Sequence, residues 1–317
     1  MVTAADLFAG MGGTTEGLTQ AGIKVLAAAN HWPEAVACHK QNHPETFHLT
    51  QDLQQADFSE WPDFDILAAS PSCVGHTRAR GRERAHHDAT RSTAWAVVAA
   101  AEVKKPKAIM VENVVDFQRW TLFSQWMECL KALGYELTTN VIDAADLGVP
   151  QHRVRLFIVG IHKDYGEALL LPEPKGFRRV PAKEVIGDPE ATWTPVRKPG
   201  RAPATIARFE QGKRQYGDEF LMPYYGSGSG KTGRSVMRPI GTLTCKDRWA
   251  YVNQDRMRML TVNEKKLLQG LPADYRLPTS KSLATFLIGN SVPPALAKWV
   301  GSHIKTALVG GLNQLAA

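Results

Sequence analysis

The chain has 317 residues, 44% of them hydrophobic and 22% charged, a make-up that suits a globular protein with a large core and a second lobe. No apolar run approaches the ~20 residues needed to cross a bilayer, and the first residues, Met1 to Asp6, lack the basic-then-apolar order of a secretory leader, so a cytoplasmic protein with no membrane partner is expected. The formal charge of +7 favours a polyanionic partner, although charge alone does not distinguish a binding face from a solvated one. Cys38, Cys73, Cys129 and Cys245 show no Cys-x-x-Cys spacing, which argues for reduced thiols and against any metal site.

In chain order, residues 1–162 alternate apolar runs with amphipathic stretches, the pattern of βα units around a parallel sheet. Strands are predicted at Thr3–Phe8, Lys24–Asn30, Ile66–Ala69, Ala108–Glu112, Glu136–Asp143 and Arg155–Ile161. Helices are predicted at Thr14–Ala21, Pro33–Asn42, Thr93–Lys104 and Leu122–Leu133, covering both faces of the sheet. The first strand runs into Phe8-Ala9-Gly10-Met11-Gly12-Gly13 and then a helix. Glycines at such a turn let the backbone approach a ligand, and the helix start offers free N–H groups, although a tight turn also occurs without any ligand. Thr15 stands where a dinucleotide fingerprint needs its third glycine, which argues against an NAD(P)-binding oxidoreductase.

Residues 163–250 lose this rhythm. They are rich in Pro and Gly, and ten Lys or Arg lie between Lys175 and Arg214, so a separate irregular or β-rich lobe is expected. Gly226-Ser-Gly-Ser-Gly-Lys231-Thr232 resembles a phosphate-cradling loop, but the pattern needs a glycine where Tyr225 stands, and a flexible loop is the simpler reading. Residues 251–317 read as a return to the first domain, with helical patterns at Thr261–Gln269, Ser282–Ile288 and Pro293–Leu308.

Several short strings follow one another along this frame: DLFAGMGG at Asp6–Gly13, SPSC at Ser70–Cys73, ENV at Glu112–Val114, QHRVR at Gln151–Arg155 and GNSVPP at Gly289–Pro294. Arg258-Met-Leu-Thr261-x-x-Glu264, continuing to Leu268-Gln-Gly-Leu-Pro272, adds a further match. In this order and spacing the chain resembles DNA (cytosine-5) methyltransferases over nearly its whole length. The resemblance implies an α/β fold: a Rossmann-like sheet dependent on S-adenosylmethionine, with helices on both faces, and a smaller target-recognition lobe. It divides the chain into a catalytic and cofactor-binding domain (1–162), the lobe (163–250) and a return segment (251–317). It also implies transfer of a methyl group to carbon 5 of a cytosine flipped out of double-stranded DNA.

The chemistry gives each string a purpose. Carbon 5 of cytosine is a poor nucleophile until a thiolate adds to carbon 6, and Cys73, directly after a strand, is the candidate. A carboxyl against ring nitrogen 3 can donate a proton there, and a dry pocket would favour its neutral form; the resemblance gives Glu112 this role. Arg153 and Arg155 alternate along an extended segment and are expected to point together, and the resemblance places Arg155 nearer the base with Arg153 more supportive. For S-adenosylmethionine the resemblance implies Phe8, Ala9, Gly10 and Gly12 at the methionine end, His31 and Trp32 at ribose and adenine, Asp52 and Leu53 at the adenine edge, and Asn290, Ser291 and Val292 closing the site.

Two departures from the family pattern stand out. Ser72-Cys73-Val74 replaces the usual Pro-Cys-Gln, and His31 stands where an acidic residue holds the ribose hydroxyls. The loop after Cys73 is basic, and Arg78, Arg80 and Arg82, with Arg238 in the lobe, are candidate DNA contacts. The expected partners are DNA and, as a candidate, a cognate restriction endonuclease, with the chain itself a monomer. Alternatives are the same scaffold acting on RNA cytosine or transferring another group, and a catalytically silent DNA-binding relative.

Overall fold

The computed structural model describes residues 1–72, 92–224 and 233–315. The chain forms two compact units, one of 1–143, 154–175 and 291–317, the other of 144–153 and 176–290.

The first unit is built on a seven-stranded sheet in the order β3-β2-β1-β4-β5-β7-β6. Its strands are β1 (Thr3–Leu7), β2 (Lys24–Asn30), β3 (Phe47–Thr50), β4 (Ile66–Ala69), β5 (Ala108–Asn113), β6 (Tyr135–Asp143) and β7 (Val154–His162). The helices α1 (Gly13–Gln20), α2 (Pro33–Asn42), α3 (Trp95–Lys104) and α4 (Phe123–Ala132) accompany it. β1, β4 and β5 are buried at nearly every position, as parallel strands covered on both faces must be. Trp126 of α4 is fully buried and donates its indole N–H to the Ala94 carbonyl at 2.9 Å, satisfying its one polar atom.

The expectation of a wholly parallel sheet needs correction, because β7 runs antiparallel to both β5 and β6. The chain returns from β6 to β7 through residues 144–153 with no crossover helix. A connection that short suits an antiparallel neighbour, whereas a parallel one needs a longer crossover. The short edge strand β3 was not anticipated; its residues are exposed or half-buried and carry little apolar signal.

The second unit centres on a four-stranded antiparallel sheet, order β8-β11-β10-β9, formed by β8 (Thr194–Pro195), β9 (Glu219–Pro223), β10 (Trp249–Asn253) and β11 (Arg256–Met259). Helix α5 (Pro203–Tyr216) packs on it, with Phe209 stacked on Phe220 at 6.2 Å among Val196, Met222, Ala250, Val252 and Met257. The sequence offers few apolar residues here; α5 buries one narrow stripe, Thr205, Phe209 and Gly212, two of them too small to register as a hydrophobic pattern.

The lobe boundary at 250 also moves. Helices α6 (Val262–Leu268) and α7 (Lys281–Asn290) belong to the second unit, which runs to Asn290 and also takes in residues 144–153. Glu264 is a physical reason: the buried carboxylate receives two bonds from Arg258 of β11, at 2.7 and 2.5 Å. It also accepts the backbone N–H groups of Gly187 and Asp188 and closes a capping box with Thr261 at the start of α6. The chain rejoins the first unit at Ser291, and the long helix α8 (Pro294–Leu315) follows.

Candidate active site

The glycine turn joins β1 to α1 in the first unit. Phe8 takes a left-handed φ of 59°, a conformation that costs a non-glycine residue free energy and clusters at ligand sites. Gly10 and Gly12 also lie at positive φ, 55° and 103°, which an L side chain would resist. A Cβ on Gly10 would meet nothing within 4 Å, so dihedral demand and not crowding calls for glycine there, and the space over the turn is open. Gly12 is the N-cap of α1 and has no side chain to cap it, while the Asp6 carboxylate takes the Thr15 backbone N–H of the first turn. The open space over the positive-φ glycines fits the methionine end of S-adenosylmethionine.

Ser291 and Val292 pack directly on this turn. A Cβ on Gly13 would fall 2.2 Å from Ser291 Oγ and from the Val292 carbonyl oxygen. Asn290, by contrast, lies in the second unit, where its Oδ1 accepts from the Cys245 thiol at 2.9 Å. Among the other expected cofactor residues, Trp32 donates its backbone N–H to Asn30 Oδ1 at the end of β2 at 3.0 Å. His31 is exposed and Trp32 half-buried beside it. Asp52 uses its carboxylate to cap the turn Leu53–Gln55 through Gln54 N at 3.1 Å, with Leu53 buried. These residues follow β2, which pairs with β1, and β3, the next strand out on the same sheet.

At the ends of β5 and β7, Arg155 Nε lies 2.9 Å from Glu112 Oε1, with both side chains nearly buried. Charge-assisted bonds of this kind fix a carboxylate's orientation. The next residue, Asn113, was not singled out from sequence. Its Nδ2 donates to the Pro71 carbonyl at 3.1 Å, and its Oδ1 accepts the Val114 N–H at 2.8 Å. On the other side, Ser72 N donates to Thr93 Oγ1 at 3.1 Å. The chain leaving β4 is thus anchored at Pro71 and Ser72, one residue before Cys73. Cys73, Val74, Arg78, Arg80 and Arg82 lie outside the described residues, as do residues 225–232, where the sequence suggests a flexible loop.

Arg153 differs from the expectation that it points with Arg155. It belongs to the second unit and is buried, its guanidinium donating to the carbonyls of Leu243 (3.1 Å) and Gly289 (2.8 Å). Gln151 does similar work: it accepts Leu243 N–H at 2.7 Å and donates to the Leu268 carbonyl and the Gln269 side chain. Two residues of the QHRVR string therefore brace backbone, and the third pairs with Glu112.

The basic run of the lobe is more neutral than its sequence suggests. Arg178 pairs with Glu184, Arg179 with Asp146, Lys183 with Glu219, Arg197 with Glu210, and Lys213 with Asp218 and Asp255. Arg238 is exposed.

Comparison with known proteins decides the family. The model of the C-5 cytosine-specific DNA methylase matches residues 2–191 and 201–306. The chain belongs to this family. It is a DNA (cytosine-5) methyltransferase that uses S-adenosylmethionine. The Type II methyltransferase M.BsuFI of Bacillus subtilis is 27% identical over 312 residues, 97% of this chain and 73% of the relative. M.HgiDI of Herpetosiphon aurantiacus is 26% identical, covering 96% of this chain and 94% of the relative. Among solved structures, a mutant of Spodoptera frugiperda DNMT2 superposes with a TM-score of 0.69 at 18% identity, covering 98% of this chain and all of the other. The Entamoeba histolytica methyltransferase EhMeth gives 0.66 at 15%, covering 98% of this chain and 99% of the other. Among the described residues no helix is long and apolar enough to cross a membrane.

Proposed function

We propose that Cys73 is the nucleophile of this methyltransferase, with Glu112 the group that meets ring nitrogen 3 and Arg155 its orienting partner. The observation that carries this reading is the shared anchoring at one sheet edge. Glu112 is held by Arg155, and the adjacent Asn113 holds Pro71, two residues before the thiol. The Cys73 thiolate adds to carbon 6 of a cytosine turned out of the duplex, and hydrogen bonding from Glu112 accommodates the charge driven onto the ring. S-adenosylmethionine supplies an electrophilic methyl group. After carbon 5 is methylated, loss of its proton and expulsion of the thiolate restore the aromatic ring. Phe8, Ala9, Gly10, Gly12, Ser291 and Val292 would seat the methionine end. Trp32, His31, Asp52 and Leu53 would meet the adenosine. Arg153 acts as a brace.

The lobe reads the target sequence, and Arg238 with Arg78, Arg80 and Arg82 contacts DNA phosphates. With Type II methyltransferases as relatives, the chain acts as a cytoplasmic monomer alongside a restriction endonuclease of the same specificity. Incubation with tritiated S-adenosylmethionine and mixed-sequence duplex DNA, followed by bisulfite sequencing, tests the reading. C73S should lose methyl transfer while still binding DNA; wild-type turnover in C73S would remove the covalent route. Unchanged salt dependence of DNA binding after replacing Arg78, Arg80 and Arg82 by alanine would remove the loop contacts.

A further inference from the structure

Beneath the glycine turn lies a line of polar side chains that the methyl-transfer chemistry does not use. Asp6, in β1 two residues before Phe8, is completely buried. Its Oδ2 accepts the Thr15 hydroxyl at 2.8 Å, while its Oδ1 has no hydrogen-bond partner. Thr15 Oγ1 lies 3.0 Å from His39 Nε2 in α2, and His39 Nδ1 lies 2.5 Å from His48 Nε2 in β3. His48 is half-buried, so the line runs from the surface to a carboxyl under the turn. The Asp6–Thr15 bond spans the whole turn, tying the end of β1 to the first turn of α1.

We propose that Asp6, Thr15, His39 and His48 form a proton relay that positions the glycine turn, so that its affinity for S-adenosylmethionine follows the charge on Asp6 and hence solution pH. This rests on the assignment of the turn to the methionine end of the cofactor. With Asp6 ionised, the donors run inward: His48 Nε2–H to His39 Nδ1, His39 Nε2–H to Thr15 Oγ1, and the Thr15 hydroxyl to Asp6. A proton taken up at His48 reverses each bond in turn and arrives on Asp6, so protons balance without a charged intermediate left in the core. S-adenosylmethionine carries a net positive charge from its sulfonium and α-ammonium groups, which ionised Asp6 attracts and neutral Asp6 does not.

The surroundings support this. Burial pushes the Asp6 carboxyl up to about 7, against the Thr15 hydroxyl and backbone N–H, which favour the ionised form. His39 is held well below its ordinary range by burial, then by His43 and His48. His48 is lowered mainly by burial, with Thr46 backbone opposing and Lys40 and His43 adding to it. His43, 5.0 Å from His39 between ring centroids, faces Glu16 of α1 and is lowered by burial. The relay histidines thus stay neutral at a pH where Asp6 titrates. Among the described residues no group of three His, Cys, Asp or Glu is placed to hold a metal ion.

Calorimetric titration with S-adenosylmethionine between pH 6 and 8.5, with melting curves of the free protein over pH 4–8.5, tests the relay. Wild type should bind about tenfold more tightly at pH 8.5 than at pH 6, a one-unit slope through the Asp6 transition. D6N should flatten that profile. T15V should move the midpoint to higher pH by removing the bond that favours ionised Asp6, T15S should restore it, and H39L should shift it in the same direction as T15V. In the melting curves, a folded-state value raised above the unfolded one means stability is whole below the unfolded value and lost as pH rises through about 7. D6N should abolish that loss without removing the fall at acid pH that the buried histidines cause. Parallel pH profiles for wild type and D6N, or a T15V midpoint equal to wild type, would overturn the relay. Absence of cofactor binding at every pH would instead defeat the assignment of the turn, and the melting curves would still decide the relay.

Discussion

Replacing Glu264 by glutamine puts the packing of the second unit to a quantitative test. Every group aimed at this carboxylate is a donor: two guanidinium N–H groups of Arg258 at 2.7 and 2.5 Å, Thr261 N at 2.9 Å, Gly187 N at 2.9 Å and Asp188 N at 3.1 Å. Glutamine keeps the volume but turns one acceptor into an NH2 donor facing those donors, and leaves Arg258 a buried cation between Trp193 and Tyr251. Removing one partner of a buried ion pair costs about 3–5 kcal/mol. For a unit of this size that lowers the melting transition by roughly 10–20 °C. The pH dependence adds a second signature. Although burial opposes it, the Arg258 bond and the backbone N–H groups hold Glu264 below its ordinary value of 4.5. Its stabilisation is therefore present above that value and lost as pH falls through the folded one. The gap between wild type and E264Q should be widest near neutrality and narrow below about pH 4.5. Scanning calorimetry at pH 7 and pH 4 measures both. A variant melting within a degree of wild type at pH 7 would refute the reasoning.

Other substitutions probe the site and its supports. G13A drives a methyl group into the Val292 backbone carbonyl, which cannot swing away as a side chain could, so S-adenosylmethionine affinity by calorimetry should fall at least tenfold. N113A removes the tie to Pro71; single-turnover methylation should slow by roughly tenfold, as loss of about 1.4 kcal/mol of positioning predicts, with DNA affinity by gel shift unchanged. F209A empties the centre of the lobe core and should cost about 3–5 kcal/mol in chemical denaturation.

Much of the first unit was legible because its strands are short apolar runs bounded by turn residues. β2 and β4 fall where the pattern put them, and the glycine turn follows β1 as expected. What escaped reading depends on neighbours remote in sequence. The direction of β7 is decided by the short return from β6, not by its own composition. Helix α5 hides its buried face in a threonine and a glycine. In QHRVR, the strand-like alternation is visible, but nothing in it says that Gln151 and Arg153 will meet backbone while Arg155 meets Glu112. The Asp6–Thr15–His39–His48 line joins four separate elements, and no local spacing could announce it. Clustering of Lys and Arg likewise overstated the lobe's positive surface, since their acidic partners come from as far away as Asp146 and Asp255.

The grip of Gln151 and Arg153 on main-chain atoms of Leu243, Leu268 and Gly289 has an evolutionary consequence. A clamp that holds peptide groups is indifferent to the side chains they carry. Residues along those segments can be exchanged without loosening the scaffold, so new sequence preferences can be tried on a frame that stays fixed.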